Sequence, residues 1–466
     1  MRIDGAGARY GIIKTPHCGI SPRKGFVTLQ LEGKSLRSDF ARFVTATALS
    51  LTIFSLYAMV DGLFVARGVS EYAMSAVNLA IPIINGLFSL AVLFAVGTST
   101  IIAVWLGQGK RAEANRLFSQ DIAVLLALGL CITAAILLFT DPLARLLGAT
   151  KETAAFLHAY LRGLAPFASC YMISYNLEIL VRTDGFPRFA TVTVICGCLF
   201  HALMDYLTIF VWKWGIVGAA ISSGSSQLLT CLVYITHFLG KKSTFRFTRF
   251  RFDRKIYRRL LPLGISDGLT ELCTGVMIFL FNRTLLRHIG ADGVVSYTII
   301  AYVNTIVINL MMGVGQGSQP LVSYHRGKGE PEACKKLLRY GIATVAVLAV
   351  VSFAGLWSFA PQVVRAYLPD STAALRDYSV FAFRRYSFSY LLVGFNVFIA
   401  AYLTAQERPK EAIAVSVGRG LILQAGALLL LAEALGGGAV WFTPVLSEAV
   451  CLGLSLFFLR RWLKSE

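Results

Sequence analysis

Two carboxylates stand where a chain this apolar should not carry charge: Asp61, in SLYAMVDGLFVARG, and Asp205, in HALMDYLTIF. His201 lies four residues before Asp205, on the same helical face. Glu178 and Ser223 sit in two further apolar stretches, and all five residues belong to the first half of the sequence. An ionisable side chain at membrane depth costs at least ~2.5 kcal/mol on insertion scales, so it has either a use or a partner. Carboxylates, an imidazole and a hydroxyl gathered in one region are the groups that take up a proton or hold a sodium ion. Each also has a structural reading. Asp61 precedes Gly62 and would be solvated at an interface; Asp205 and His201 would glue helices together; Glu178 would pair with Arg182, one turn on. Ser223, with Ser222, Gly224 and Ser225, would let helices approach closely. In the second half, Asp267 and Glu271 share a face about two turns past Pro262, as a second cation site or a solvated helix start. Glu448 has the same two readings, and Asn304 and Asn309 read as hydrogen bonds between helices.

These groups need helices to position them. Apolar residues make up 56% of the 466 residues and charged residues 15%, with mean hydropathy +0.66. A soluble surface needs more charge than that, so the composition indicates a polytopic membrane protein. A span takes roughly 20 apolar residues. Twelve such stretches are present, near 43–66, 73–105, 119–140, 158–180, 189–212, 216–239, 260–286, 293–324, 337–359, 380–404, 411–434 and 439–463. In lipid the backbone must satisfy its own hydrogen bonds, so each is predicted to be a helix.

The net charge of +19 would suit nucleic acid, but its placement points elsewhere. With a cytoplasmic N-terminus and alternating spans, 32 Lys and Arg fall on the cytoplasmic side and 11 outside, with Arg419 alone deep in a span. That asymmetry predicts a multi-pass protein with both termini in the cytoplasm, touching anionic lipid rather than nucleic acid. Nine scattered cysteines form neither a metal pattern nor a disulfide framework. Residues 1–40 read as a polar, disordered cytoplasmic tail without the apolar core of a signal peptide. No nucleotide loop, catalytic triad or metal cluster is evident, so no enzyme, cofactor or resident metal is expected.

The chain repeats itself. LFAVGTSTIIAVWLGQGKRAEANRLF, from Leu93, and GVGQGSQPLVSYHRGKGEPEACKKLL, from Gly313, both end an apolar helix in the same small loop. A shift of 220 places Gly97, Gly107 and Gly109 on Gly317, Gly327 and Gly329. A weaker echo pairs Pro187 with Pro409 at a shift of 222. Such duplication points to a transporter with two six-helix lobes, 41–240 and 260–466. Between them lies KKSTFRFTRFRFDRKIYRR, 241–259, a basic linker whose aromatics and arginines suit a membrane surface.

YAMVDGLFVARG with SAVNLAIPI, the helix ending in GQGKRAEA, WGIVGAAISS after an Asp-bearing span, and SQPLVSYHRGKG in the second half together resemble the multidrug and toxic compound extrusion (MATE) family, its bacterial branch above all. The resemblance runs over about residues 40–462. It implies a V-shaped pair of six-helix bundles that exports organic cations in exchange for H⁺ or Na⁺. It also implies a first-half coupling site at Asp61, His201 and Asp205. Where the family usually has Asn, this chain has His201 and Glu178. An imidazole offers sodium no oxygen, which favours protons over sodium; Glu178 would attract a cationic substrate or take a second proton. The proline common in the family's first span is absent from ARFVTATALSLTI, which has Thr45, Thr47, Ser50 and Thr52 instead.

The expected activity is therefore secondary active efflux by alternating access, from the cytoplasmic (inner) membrane of a bacterium, by a monomer. The coupling set is Asp61, Asp205, His201, Glu178 and Ser223. Tyr57 and Phe54, one and two turns before Asp61, join Asp61 and Glu178 as substrate-lining candidates, stacking on flat cations. The alternative within the superfamily is a lipid-linked oligosaccharide flippase, which needs arginines in the cleft to hold a diphosphate. A major facilitator transporter would carry a Gly-x-x-x-Asp-Arg-type loop after the second span, and GQGKRAEA has no Asp.

Overall fold

The computed structural model describes residues 35–369 and 371–465; the side chains of 58–63, 66, 67, 71 and 465 are not among those described. The expected tail thus falls, as far as residue 34, outside the described residues. The first half holds α1 (Leu36–Gly68), α2 (Glu71–Gly107), α3 (Arg111–Leu138), α4 (Thr140–Leu146), α5 (Lys151–Leu164), α6 (Ala168–Thr183), α7 (Pro187–Asp205) and α8 (Gly215–Leu239). The second holds α9 (Arg254–His288), α10 (Ala291–Gly327), α11 (Pro331–Tyr367), α12 (Ala373–Ser387), α13 (Tyr390–Ala405), α14 (Pro409–Val417), α15 (Leu423–Leu435) and α16 (Thr443–Ser465). No strand occurs among the described residues. Eleven helices are long and apolar enough to cross a membrane, and twelve if α12 and α13, bent by 42° at Phe388–Ser389, count as one span.

Local sequence explains the breaks. Ser35 and Ser70 cap α1 and α2, accepting from the amides of Ser38 and Ala73. Gly109 and Gly329, the repeat-loop glycines, take φ of +76° and +72°, a left-handed turn that costs other residues about 1–2 kcal/mol. α1 runs unbroken through the segment that lacks a proline. There Thr45 and Thr52 return their hydroxyls to the carbonyls of Ala41 and Ala48, a back-bond that bends helices gently. The fifth span of each half contains a wide π-helical turn, Tyr206–Val211 in one and Gly418–Ile422 in the other.

Within the first half α6, α7 and α8 pack on one another and against α1 and α2; in the second, α10, α11 and α13 pack on one another, α13 packs on α14, and α14 packs on α9. The halves meet where α1 crosses α10 and α2 crosses α9 and α10. The duplicated glycines are the crossing points. A methyl group on Gly97 would strike Leu260, and one on Gly317 would press on Phe43 and Val44. Gly107 and Gly327 face each other's helices, against the carbonyls of Tyr324 and Val104. Gly264 lies against the carbonyl of Leu93 and Gly313 against Ala48. Small residues let backbones come this close, which is how apolar helices gain attraction in lipid. The cross-half hydrogen bonds farthest from the linker end are Ser89 Oγ to the Gly268 carbonyl (2.8 Å) and Asn309 Nδ2 to Ser55 Oγ. The halves are therefore closed at the end that carries the linker and the repeat loops.

Candidate functional site

Asp205 ends α7 just before the first π-helical turn, and its residue is fully buried. π-helical turns often mark functional positions, because the wide turn reorients neighbouring groups. Tyr57, on α1, donates its hydroxyl to Asp205 Oδ2 at 3.2 Å. Ser222, on α8, donates to Asp205 Oδ1. His201 Nε2, one turn earlier, stands 3.6 Å from Oδ2 and 2.8 Å from Ser223 Oγ. The Tyr57 ring lies beside the imidazole with centroids 4.6 Å apart. Three helices thus converge on one carboxylate in an apolar bundle. Buried carboxylates need either hydrogen-bonded partners or a proton, and this one has two hydroxyl donors.

A second acidic group lies across the junction of the halves. Glu178, on α6, is held by Arg182 one turn on, and Arg182 is 2% exposed. Asp267 and Glu271, half-buried on α9, lie close enough to interact with each other. Tyr175 has the charges of Glu178, Glu271, Arg182 and Asp267 around it. The Phe88 ring stands edge-on to Tyr175 at 6.1 Å, to Tyr171 at 6.0 Å and to Phe54 at 6.1 Å. Acids from both halves and a cluster of aromatic faces therefore share one region, at the level of the Ser89–Gly268 bond. Aromatic faces and carboxylates together suit a flat organic cation.

The sequence-derived residues sort as follows. Asp205, His201, Ser223 and Tyr57 come together in the first group; Glu178, Asp267, Glu271 and Phe54 border the second. Asp61 lies in α1, and its side chain falls outside the described residues. Asn309 makes the cross-half bond noted above. Glu448 has a partner: Arg419, inside the second π-helical turn, donates to it at 3.1 Å, and Asn396 does so at 2.7 Å. Sequence reasoning passed over Ser222 as a ligand, and Tyr175 and Phe88 as lining groups. It also passed over Asp121, buried on α3 and receiving a 2.9 Å hydrogen bond from Asn176. A residue beginning an apolar stretch after Ser119 and Gln120 reads as a span edge, which hid Asp121.

Known proteins share this fold. The MatE family profile matches residues 46–207 and 269–426. The multidrug export protein MepA of Staphylococcus saprophyticus is 24% identical over 400 residues, covering 85% of this chain and 87% of that one. MepA of Staphylococcus aureus strain NCTC 8325 is 25% identical over 402 residues, with the same coverage. Among solved structures, an outward-facing multidrug resistance MATE family transporter of the MOP superfamily superposes with TM-score 0.89 at 22% identity, covering 95% of this chain and 99% of that one. A MOP superfamily transporter from Pyrococcus furiosus, described as having a binding pocket of reversed polarity, superposes at 0.87 with 23% identity over the same shares.

Proposed function

The chain belongs to the MATE family, and from that premise we propose that it exports cationic, amphiphilic organic compounds by alternating access, in exchange for protons. The observation that carries the reading is the fully buried Asp205, held by Tyr57 and Ser222 with His201 beside it. The 241–259 linker joins the lobes, 41–240 and 260–466, which rock about the glycine crossings. The bias of basic residues puts the closed, linker-bearing end in the cytoplasm of a bacterial cell, with both termini. On that orientation we read the closed end as belonging to an outward-open form.

Ionised Asp205 favours the form that holds a cation, with Glu178, Asp267 and Glu271 supplying negative potential beside the aromatic faces. Protonation from outside removes that preference, and the cation leaves. The proton shifts the balance between forms only by its differential affinity for them. Protons are favoured over sodium because His201, rather than an amide, faces Asp205, and an imidazole has no oxygen to offer sodium. The flippase reading needs free bases in the cleft, whereas Arg419 is engaged by Glu448.

Dye efflux from inverted membrane vesicles, driven separately by a pH gradient and a sodium gradient, tests this. Asp205→Asn is expected to abolish most pH-driven efflux, because an amide cannot take up and release the proton that an intramembrane carboxylate carries. Parental efflux in that variant refutes the site; efflux driven by sodium alone refutes proton coupling.

A further inference from the structure

The linker is not a slack tether. Its backbone is fastened along α3 by the side chains of that helix. The Arg246 amide donates to Asn115 Oδ1 at 3.1 Å, and the Thr248 amide to Ser119 Oγ at 2.8 Å. Gln120 grips Asp253 twice, accepting from its amide at 3.1 Å and donating to its carbonyl at 3.3 Å. Phe245 is fully buried, with Phe118 and Phe238 at centroid distances of 5.7 and 6.0 Å. Beyond this anchor the chain arches over a cavity of about 770 Å³ between α2, α3, the linker and the start of α9. Arg116, Arg249 and Arg251 line it, with Trp105, and with Glu113 and Asp253 as the carboxylates. None of the three guanidinium groups makes a hydrogen bond or an ion pair among the described residues.

Three unpaired guanidiniums around one hollow, on a backbone fixed by four side-chain hydrogen bonds, are arranged for an anion with several oxygens. Guanidinium forks match phosphate oxygens, and a fixed backbone reduces the ordering cost of binding. We propose that this cavity binds a phosphate-bearing anion, with an anionic phospholipid headgroup as the preferred source over a soluble polyphosphate. The preference comes from Phe247 and Phe252, which are 43% and 62% exposed on the linker on either side of the arginines. Exposed aromatics beside bases characterise a segment lying in a membrane interface, and basic pockets at the cytoplasmic ends of helices take lipid headgroups. The walls come from both halves, since α9 belongs to the second. An occupant therefore ties α9 to α3 and stabilises the form closed at this end.

The test uses the full chain in nanodiscs. Its thermal midpoint is measured in phosphatidylcholine and in phosphatidylcholine with phosphatidylglycerol, and inorganic pyrophosphate is titrated into the first by calorimetry. The triple variant Arg116→Gln, Arg249→Gln, Arg251→Gln is compared with Arg460→Gln, Arg461→Gln, Lys464→Gln, which removes the same charge from the exposed end of α16. The cavity variant is expected to lose on the order of tenfold in anion affinity, the yield of one charge-assisted hydrogen bond. The control is expected to lose less than about twofold, as scattered exposed charges do. Phosphatidylglycerol stabilisation lost only in the cavity variant assigns the headgroup. Pyrophosphate binding lost only there, with no lipid effect, assigns the soluble anion and keeps the site. Equal losses in both variants, or no binding of either probe by the parent, overturn the proposal.

Discussion

Gly264→Ala should open the closed end of the molecule. The added methyl group would overlap the carbonyl oxygen of Leu93 and crowd its Cα, and both are backbone, so no side chain can swing away. Helices α2 and α9 must separate at that crossing, and overpacking of this kind costs about 1–3 kcal/mol. The cost falls only on the form in which the crossing is made. Alanine also stabilises a helix by about 1 kcal/mol over glycine, but that gain is common to both forms and cancels. The ratio of closed to open at this end should therefore fall by roughly 5–150-fold. Gly275→Ala is the matched control, because a methyl group there meets nothing within 4 Å on the same helix. Pulsed electron paramagnetic resonance between spin labels at Glu113→Cys and Lys410→Cys, both exposed near the linker end, reads the separation of the halves. A distance distribution unchanged by Gly264→Ala, or shifted equally by Gly275→Ala, refutes the view that these crossings hold this end shut.

Two further outcomes follow from ion pairs. Arg182→Met should cost about 3–5 kcal/mol by leaving Glu178 buried without its partner, and Arg182→Met with Glu178→Leu should recover most of it; unfolding midpoints in detergent that rank the double variant below the single contradict this. Glu330, in the second repeat loop, accepts from His325 at 2.6 Å and lies 3.1 Å from Lys328 Nζ. The His325 bond, helped by Lys328, holds its carboxyl below the ordinary range. A depressed folded value means the stabilisation is present above the unfolded pKa, about 4.3, and is lost as pH falls through the folded value. Glu330→Gln should thus lower the unfolding midpoint at pH 6 and converge with the parent under strong acid. A gap that persists unchanged at low pH rules that out.

Much of the architecture could be read from order and spacing. The 220-residue shift placed Gly97 and Gly107 on Gly317 and Gly327, and the fold uses all four at crossings between halves. Spacing of four within a helix anticipated His201 beside Asp205 and Arg182 on Glu178, since helical geometry alone brings such pairs together. What stayed hidden depends on which helices pack. Tyr57 and Ser222 reach Asp205 from helices 148 and 17 residues away in sequence, and no local pattern marks either as its partner. Tyr175 and Phe88 read as ordinary apolar packing until α9 brings Asp267 and Glu271 beside them. The break between α12 and α13 was equally invisible, because neither Phe388 nor Ser389 is a Gly or Pro that would punctuate a helix.

The grip of Gln120 on Asp253 fixes where the second half can turn. Asp253 is also the residue that caps α9, accepting from the Lys255 amide at 2.8 Å. The chain thus passes from a segment bolted to α3 directly into the first long helix of the other half, with no spare length between. As the lobes rock about the glycine crossings, this tie holds the start of α9 close to α3, like the lowest pin of a hinge. The same point is where slack inserted by a few glycines would uncouple the swing of the far wing from the near one.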